Sequence, residues 1–324
     1  MIKKFWTGKK VIVTGGAGFI GSHVVEKLIE KGADVTVLDT LQNGAIKNLS
    51  AVMGKYTLIK GDCTDEDTLI RAFSKKDIVM NLAARVGGIE YNRTHQATMM
   101  RDNILIGTKA IEAARIAGVE KFLVVSSACV YARECTIPTP ESEGFDSVPE
   151  PTNGGYGWAK RMAEKLGMYY AEEFGMKVSI VRPYNCYGPR DHFDPKLSHV
   201  IPALIKRVID GENPVKVWGT GAQTRAFLYV TDMAEGMILS VEKSKSPEPI
   251  NLGTDEEISI KDLVKKIIIL SNLKSDITFD ITKPDGSARR NSDNTLAKSK
   301  IKFEAKVNLD QGLKKTIEWY ENNN

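Results

Sequence analysis

The chain has 324 residues and a formal net charge of +4, with 42% hydrophobic and 27% charged residues. That balance is typical of a globular protein rather than a disordered one, and the length suggests one large domain or two smaller ones. The slight excess of positive charge is spread along the sequence. We therefore expect no nucleic-acid partner, whereas an anionic small molecule is a suitable substrate.

Neither the start of the chain nor its cysteines indicate a secreted, membrane or zinc-binding protein. No apolar run reaches the roughly 18 residues of a membrane span, and the first residues lack the pattern of a signal peptide. The four cysteines show no CxxC spacing, which disfavours a disulfide scaffold and a zinc site. We expect a cytoplasmic protein with reduced thiols, no membrane partner and no bound metal.

Short β-branched segments alternate with helical periodicity through the first half of the chain. The predicted strands cover residues 11–14, 35–38, 57–59, 78–82, 122–125 and 177–181. The predicted helices between and after them cover residues 22–31, 104–117 and 158–174. This alternation predicts βαβ units, and hence an α/β fold with a doubly wound parallel sheet.

Prolines interrupt the pattern after residue 182. The helices predicted in this part cover residues 204–209, 260–270 and 309–320. We assign residues 1–182 to a domain built around the parallel sheet and residues 183–324 to a smaller C-terminal α/β domain. Some segments of the smaller domain are expected to return to the sheet.

The first predicted strand runs into the glycine-rich sequence TGGAGFIG at residues 14–21, which opens the first helix. Glycines at such a turn let the backbone approach a pyrophosphate, and the helix N-terminus presents N–H groups to its charge. Asp39 ends the next strand about 20 residues on, where an acid binds the ribose 2′-hydroxyl and repels a 2′-phosphate. NAD is therefore favoured over NADP, although a structural glycine turn with Asp39 as a helix cap gives the same pattern. The candidate NAD-binding residues are Gly15, Gly18, Phe19, Ile20, Asp39, Asp62, Cys63, Ala83, Tyr156 and Lys160.

Three residues in the middle of the chain suit proton transfer. Ser127 follows the predicted strand 122–125, at the carboxyl edge where ligands of open α/β sheets bind. Tyr156 and Lys160 are four residues apart, so they point from one helix face into the same site. A neighbouring ammonium favours the phenolate, and so we expect Lys160 to lower the pKa of Tyr156. Together the three residues suit removal of a hydroxyl proton while the carbon gives a hydride to nicotinamide.

The glycine loop with Asp39 and the sequences SSACVY, YGWAK and RPYNCYGP resemble the extended short-chain dehydrogenase/reductase family. The motifs occur in the family's order along nearly the whole chain. The resemblance implies a Rossmann domain that binds NAD, followed by a substrate domain. It also implies a homodimer, paired through helices that include the Tyr156 helix, and an enzyme acting on nucleotide-diphosphate sugars as an epimerase, dehydratase or reductase.

The residues after Ser127 separate the branches of this family. Dehydratases carry an Asp-Glu pair and decarboxylases a Glu at positions held here by Ala128 and Cys129, so elimination lacks its acid. Several stretches, among them VGGIEYN, are similar to the GDP-L-fucose synthases and the GDP-mannose 3,5-epimerases. Cys129 and His199 match the acid/base pair of the synthases. Thiol and imidazole, with reference pKa values of about 8.5 and 6.5, suit proton exchange at C3 and C5 once C4 is a ketone.

These features predict an NAD-dependent nucleotide-sugar epimerase, with a GDP-sugar favoured. The GDP-L-fucose synthases resemble reductases that consume NADPH, and their N-terminal loop differs from the glycine loop of this chain. Because this loop and Asp39 have the NAD form, an epimerase is preferred to a reductase. A C4 epimerase, a C4 dehydrogenase and a non-catalytic NAD-binding regulator are the alternatives. The family's substrate positions are matched by Val86, Gly87, Gly88, Asn185, Arg207, Trp218, Arg225 and Arg290.

Overall fold

The computed structural model describes residues 4–194, 198–282 and 287–323. The strands are β1 (Lys10–Thr14), β2 (Asp34–Asp39), β3 (Tyr56–Lys60), β4 (Ile78–Asn81), β5 (Lys121–Val125), β6 (Lys177–Pro183), β7 (Cys186–Tyr187), β8 (Val215–Trp218), β9 (Thr224–Ala226), β10 (Leu228–Tyr229), β11 (Pro249–Leu252), β12 (Glu257–Ser259), β13 (Ile277–Asp280) and β14 (Arg289–Arg290). The helices are α1 (Phe19–Glu30), α2 (Glu66–Phe73), α3 (Ile89–Thr94), α4 (Gln96–Ile116), α5 (Gly154–Phe174), α6 (Val200–Ile209), α7 (Val230–Lys243), α8 (Ile260–Leu270) and α9 (Leu309–Asn323). None of these described helices is both long and apolar enough to cross a membrane.

The centre of the molecule is a parallel sheet of seven strands within the described ranges, in the order β11-β6-β5-β4-β1-β2-β3. Ile12 of β1 lies between Thr36 of β2 and Val79 of β4. The strand order reverses between β1 and β4, which leaves a crevice at the carboxyl ends of these two strands. The predicted Rossmann doubly wound α/β fold is thereby confirmed.

Helices cover both faces of this sheet. Val11 and Val13 of β1 pack with residues of α1 and α7, whereas Ile12 between them packs with residues of α2, α4 and α5 on the opposite face. Successive side chains of a strand point to opposite faces, and so a strand buried on both sides reads as a continuous apolar run. This burial on both faces explains why the sheet strands are recognisable in the sequence.

The residues after β6 form a second apolar core between α6, α8, α9 and β8, with Ile205, Leu263 and Leu313 at its centre. Small sheets lie around it: β8 pairs with β13, and β9 lies between β12 and β14. Two segments of this half pack on the main sheet instead. Strand β11 pairs in parallel with β6, and α7 packs against α1.

The sequence patterns do not predict α7. Gly236 lies in the middle of this helix, and glycine lowers helix propensity. A Cβ at this position would lie 2.9 Å from the Leu252 side chain, so the glycine lets α7 approach β11 closely. A tertiary contact therefore outweighs the local preference.

Candidate active site

The glycine loop between β1 and α1 forms a cradle for a phosphate group. Gly15 has a φ of +66°, and a Cβ there would lie 3.0 Å from the backbone of Ala83. A Cβ at Gly21 would lie 2.1 Å from the Gly15 carbonyl oxygen. Gly18 begins α1 and has no side chain to cap the N–H groups of the first turn, where Phe19 and Ile20 lie half-buried. These N–H groups are donors for an anion at a positive helix end, which fits the pyrophosphate of NAD.

Asp39 ends β2 next to this loop and is buried. One carboxylate oxygen accepts the Ala17 N–H at 3.0 Å, and the other accepts the Leu41 N–H at 2.8 Å. The carboxylate therefore ties the glycine loop to the end of β2. Since each carboxylate oxygen can accept a second hydrogen bond, Asp39 retains the capacity to bind a ribose hydroxyl.

The other candidate NAD-binding residues lie around Thr14. The Ala83 N–H donates to the Thr14 hydroxyl at 3.1 Å, and the Cys63 thiol hydrogen-bonds the same side chain. Burial raises the pKa of Cys63 to about 12, so this thiol stays protonated and unreactive. Asp62 is engaged locally, because its carboxylate accepts the N–H and the hydroxyl of Thr64.

The three predicted proton-transfer residues meet where β5 ends against α5. The Lys160 ammonium lies 5.3 Å from the centre of the Tyr156 ring and donates to the Val125 carbonyl at 2.8 Å. The Ser127 side chain lies close enough to Tyr156 to influence the pKa of its hydroxyl, and the Ser127 hydroxyl oxygen accepts the Cys129 N–H at 3.1 Å. Ser127 thus connects the tyrosine with the segment that carries the thiol.

The electrostatics of this cluster differ from the expectation. Burial raises the pKa of Tyr156 and the nearby Cys129 raises it further, while the Ser127 side chain opposes the rise. Burial also lowers the pKa of Lys160 to about 8. The expectation that Lys160 lowers the tyrosine pKa is wrong for the protein alone, because desolvation of the phenolate outweighs the stabilising contacts.

Two glycines let the start of α5 pack closely on the Cys129 segment and on the start of α4. A Cβ at Gly157 would lie 2.5 Å from the Cys129 carbonyl oxygen, and a Cβ at Gly155 would lie 2.1 Å from the Gln96 carbonyl oxygen. Any larger residue at these two positions would push the start of α5 away. The glycines therefore set the distance between the tyrosine and the strand end.

His199 stands at the start of α6, where it is exposed. Desolvation by the surrounding protein lowers the pKa of His199, and the nearby His192 lowers it further. Its described contacts are with His192, Ser198 and Ala203, so pairing of His199 with Cys129 stays a prediction.

Three candidate substrate-binding residues converge at β9. Arg225 and Arg290 are register partners on the parallel strands β9 and β14, and Arg290 donates to the Ala128 carbonyl at 2.6 Å. Burial, with the charge of Arg290, lowers the pKa of Arg225 to about 10. The Asn185 amide donates to the Ala226 carbonyl at 3.0 Å. Two guanidinium groups and an amide therefore lie beside the Cys129 segment, an arrangement that suits a diphosphate.

The remaining substrate candidates are more dispersed. Arg207 donates to the Lys216 carbonyl, next to its own helix. Trp218 is 49% exposed, so it is not a core residue, and Val86 is 41% exposed. Gly88 begins α3, and a Cβ at Gly87 would lie 2.6 Å from the Tyr91 ring. Residues 195–197 and 283–286, within the sequences HFDPKLSHV and KPDGSAR that are also similar to the GDP-L-fucose synthases, lie outside the described residues.

Sequence reasoning missed a buried ion pair behind the site. Glu164 and Arg182 are joined at 2.7 Å, with side chains 0% and 1% exposed, and the Ser126 hydroxyl donates to Glu164. The signal was present, because Glu164 follows Lys160 by four residues and therefore shares its helix face.

Comparisons with known proteins agree with this geometry. The profile described as the NAD dependent epimerase/dehydratase family matches residues 11–253. The chain is 33% identical to GDP-L-fucose synthase 1 of Arabidopsis thaliana over 97% of this chain and 94% of that protein. It is 30% identical to GDP-mannose 3,5-epimerase 1 of Oryza sativa subsp. indica over 98% of this chain and 83% of that protein. The crystal structure of UDP-glucose 4-epimerase from Thermotoga maritima with UDP-glucose matches with a TM-score of 0.87 and 31% identity, covering 96% of this chain and 98% of that chain.

Proposed function

Because the chain belongs to the NAD-dependent epimerase/dehydratase family, we propose that it is a nucleotide-sugar epimerase that works through a 4-keto sugar. Membership of this family confirms the resemblance seen in the motifs and makes the chain an NAD-dependent enzyme. The observation that carries the proposal is the position of Ser127, which lies close enough to Tyr156 to lower the pKa of its hydroxyl and accepts the Cys129 N–H. A group for proton transfer at C4 therefore lies beside a thiol for exchange at a neighbouring carbon.

The glycine loop and Asp39 are the residues that hold NAD. The tight approach at Gly15 and Gly21 leaves room for a pyrophosphate, and the buried Asp39 carboxylate repels a 2′-phosphate. When bound, NAD supplies the hydride acceptor for C4 of the sugar and returns the hydride afterwards. This redox-neutral cycle suits an epimerase.

Tyr156 removes the proton of the C4 hydroxyl, with Ser127 hydrogen-bonded to the same oxygen. The Lys160 ammonium is fixed by the Val125 carbonyl and supplies positive charge next to the tyrosine ring. The 4-keto group acidifies the C–H bonds at C3 and C5, and Cys129 and His199 exchange these protons from opposite faces. The lowered pKa of His199 keeps the imidazole neutral near pH 7, as a proton acceptor must be.

The nucleotide part of the substrate is proposed to be GDP. Arg225 and Arg290 supply charge for the diphosphate, and the exposed Trp218 offers a ring on which a base can stack. The preference for guanine is supported by the two relatives whose names specify GDP-sugars.

The active protein is proposed to be a cytoplasmic homodimer. Helices α4 and α5 carry large apolar side chains that are exposed in the single chain, namely Leu105, Ile116, Trp158, Met162 and Tyr169. Several exposed apolar side chains on two helices that pack together favour a protein partner. All four cysteines lie in the described part of the chain and are free there, which suits a reducing compartment.

A C4 epimerase is the second candidate. It is favoured by the match to a UDP-glucose 4-epimerase over nearly the full chain. In that case hydride returns to the other face of C4, and Cys129 only lines the pocket.

Deuterium incorporation separates the two candidates. The purified enzyme is incubated in deuterated water with a panel of GDP-, UDP-, CDP- and dTDP-sugars, and the products are analysed by mass spectrometry. Deuterium at C3 or C5 supports the proposal, whereas epimerised product without solvent deuterium defeats it. Cys129→Ser should abolish most of the exchange, because a hydroxyl is a far weaker acid than a thiol. Cys135→Ser is the matched control, since Cys135 is also half-buried and is not assigned a role.

A further inference from the structure

We propose that Glu164 is a positioning residue that holds Ser127 and Tyr156 in register. It does so through its hydrogen bond with Ser126, which together with the bond from Lys160 to the Val125 carbonyl joins α5 to the end of β5. This inference rests on the proposed function, because it concerns the same site.

Two consecutive residues at the end of β5 are bound by two residues one turn apart on α5. The Lys160 ammonium donates to the Val125 carbonyl at 2.8 Å, and the Ser126 hydroxyl donates to the Glu164 carboxylate. We call this pair of bonds the strand-end clamp. The two bonds join neighbouring residues of the strand end to residues one turn apart on α5. Together they keep the strand end from sliding along the helix and from moving away from it.

Arg182 makes the Glu164 end of the clamp rigid. Its guanidinium bonds both carboxylate oxygens, at 2.9 and 2.7 Å, and also donates to the Tyr131 hydroxyl at 2.9 Å and the Glu141 carbonyl at 2.7 Å. A two-pronged contact of this kind between buried charges restricts rotation of both side chains. Arg182 therefore fixes the orientation of the Glu164 carboxylate that accepts the hydrogen bond from Ser126.

The clamp lies between the two groups whose distance matters for proton transfer. Tyr156, Lys160 and Glu164 are four residues apart and share one face of α5, while Ser127 directly follows the clamped Ser126. Loosening the clamp moves Ser127 relative to Tyr156 and weakens the effect by which Ser127 opposes the rise in the tyrosine pKa caused by burial. A misplacement of about 1 Å can cost a reaction about 100-fold.

The clamp is tested with Ser126→Ala rather than with a change at Glu164. Removing the carboxylate charge would leave Arg182 buried without its anion and destabilise the fold. Ser126→Ala removes one bond of the clamp and leaves the ion pair intact. Ser179→Ala is the matched control, because Ser179 is also a buried serine and donates a single hydrogen bond, at 3.2 Å to the Ser240 carbonyl.

The first readout is steady-state kinetics on the best nucleotide sugar. Ser126→Ala should lower kcat about tenfold with little change in KM, because geometry at the reacting atoms changes while binding does not. Ser179→Ala should keep wild-type kcat. Equal kcat values for Ser126→Ala and wild type would overturn the proposal.

The second readout needs no substrate. The rate of alkylation by iodoacetamide is measured at each cysteine by mass spectrometry. The Cys129 N–H bonds the Ser127 hydroxyl, so a loosened clamp should expose this thiol and speed its alkylation about threefold or more, with Cys135 unchanged and the buried Cys63 protected. An unchanged Cys129 rate, or the same acceleration in Ser179→Ala, would refute the clamp. If the wild type turns over no sugar, the proposed function fails while alkylation still decides the role of the clamp.

Discussion

The residues on the two sides of the site are held in different ways. On the sheet side, a Cβ at Gly21 or Gly157 would lie 2.1 or 2.5 Å from a carbonyl oxygen, so the backbone admits almost no displacement. On the substrate side, Arg225 and Arg290 project from strands of three and two residues, and His199 stands at an exposed helix start. The side proposed to perform hydride and proton transfer at C4 therefore has a fixed geometry. The side proposed to bind the sugar nucleotide is built from short strands and an exposed helix start, as suits a part of the fold that determines specificity.

The largest effect is expected on the sheet side. Tyr156→Phe removes the acid/base oxygen and keeps the ring, so hydride transfer should slow by about 10²–10⁴-fold, the usual contribution of general acid/base catalysis. NAD binding and folding should be unchanged. The absorbance of reduced NAD after mixing with sugar nucleotide measures the step. Tyr169→Phe, at an exposed tyrosine of the same helix, is the control, and near-normal transfer in Tyr156→Phe would remove this residue from the mechanism.

A change on the substrate side should affect binding instead. Arg225→Met removes a charge-assisted contact to the diphosphate and should raise KM for the sugar nucleotide about 10–100-fold, with a smaller effect on kcat. The affinity for NAD, measured by calorimetry, should stay the same. Arg289→Met is the control, because Arg289 is exposed and already paired with Glu257 at 2.7 Å. A fall in kcat with unchanged KM would contradict the division between the two sides.

Cofactor choice sharpens the comparison within the sheet side. Asp39→Ala removes the charge that repels a 2′-phosphate, so the ratio of NAD to NADP affinity should fall about tenfold or more. NAD itself should bind less tightly, because the carboxylate also holds the Ala17 and Leu41 N–H groups. Fluorescence titration with both nucleotides measures the ratio. In Asp62→Ala the ratio should stay as in wild type, and tighter binding of NADP than NAD by the wild type would contradict the assignment.

The smallest effect is expected in the loop that joins the two sides. Burial raises the pKa of Asp191 to about 7, and its second oxygen has no hydrogen-bond partner among the described residues. The pKa of Asp191 is higher in the folded protein than in the unfolded chain, where it is about 3.9. The free energy of unfolding therefore falls as the pH rises from about 3.9 to about 7. Asp191→Asn should therefore gain a few degrees in Tm relative to wild type between about pH 5 and pH 8. A Tm difference that stays constant with pH would show that the carboxyl group is not buried in the folded protein.

The main elements of the sheet side follow from the sequence alone. Strand β1 was predicted at 11–14 and lies at Lys10–Thr14. The helix predicted at 22–31 lies at Phe19–Glu30, three residues earlier at its start. Asp39 ends β2, and Tyr156 and Lys160 lie on one helix, as predicted. Strand and helix periodicities, and the glycines of a phosphate loop, are properties of neighbouring residues. They can therefore be recognised in the sequence without knowledge of the fold.

Some boundaries within the same region depend on the tertiary structure. Helix α4 begins at Gln96, eight residues before the predicted start at 104, and α5 begins at Gly154 rather than at 158. Glycines at 154, 155 and 157 oppose a helix by propensity. The Gln96 side chain accepts the Gly155 N–H, so each of these helix starts stabilises the other.

The substrate side was decided by contacts between distant parts of the chain. Arg225 and Arg290 were chosen from separate motifs, but only the pairing of β9 with β14 brings them together. In the same way, Ser126, Glu164 and Arg182 form one buried network although no local pattern joins them, and burial reverses the expected shift of the Tyr156 pKa. Desolvation and the pairing of distant strands depend on which segments come into contact, and those contacts exist only in the folded structure. The sequence by itself determined the strands of the sheet, the glycine loop and the candidate proton-transfer residues, whereas the tertiary structure decided how those residues are held and charged.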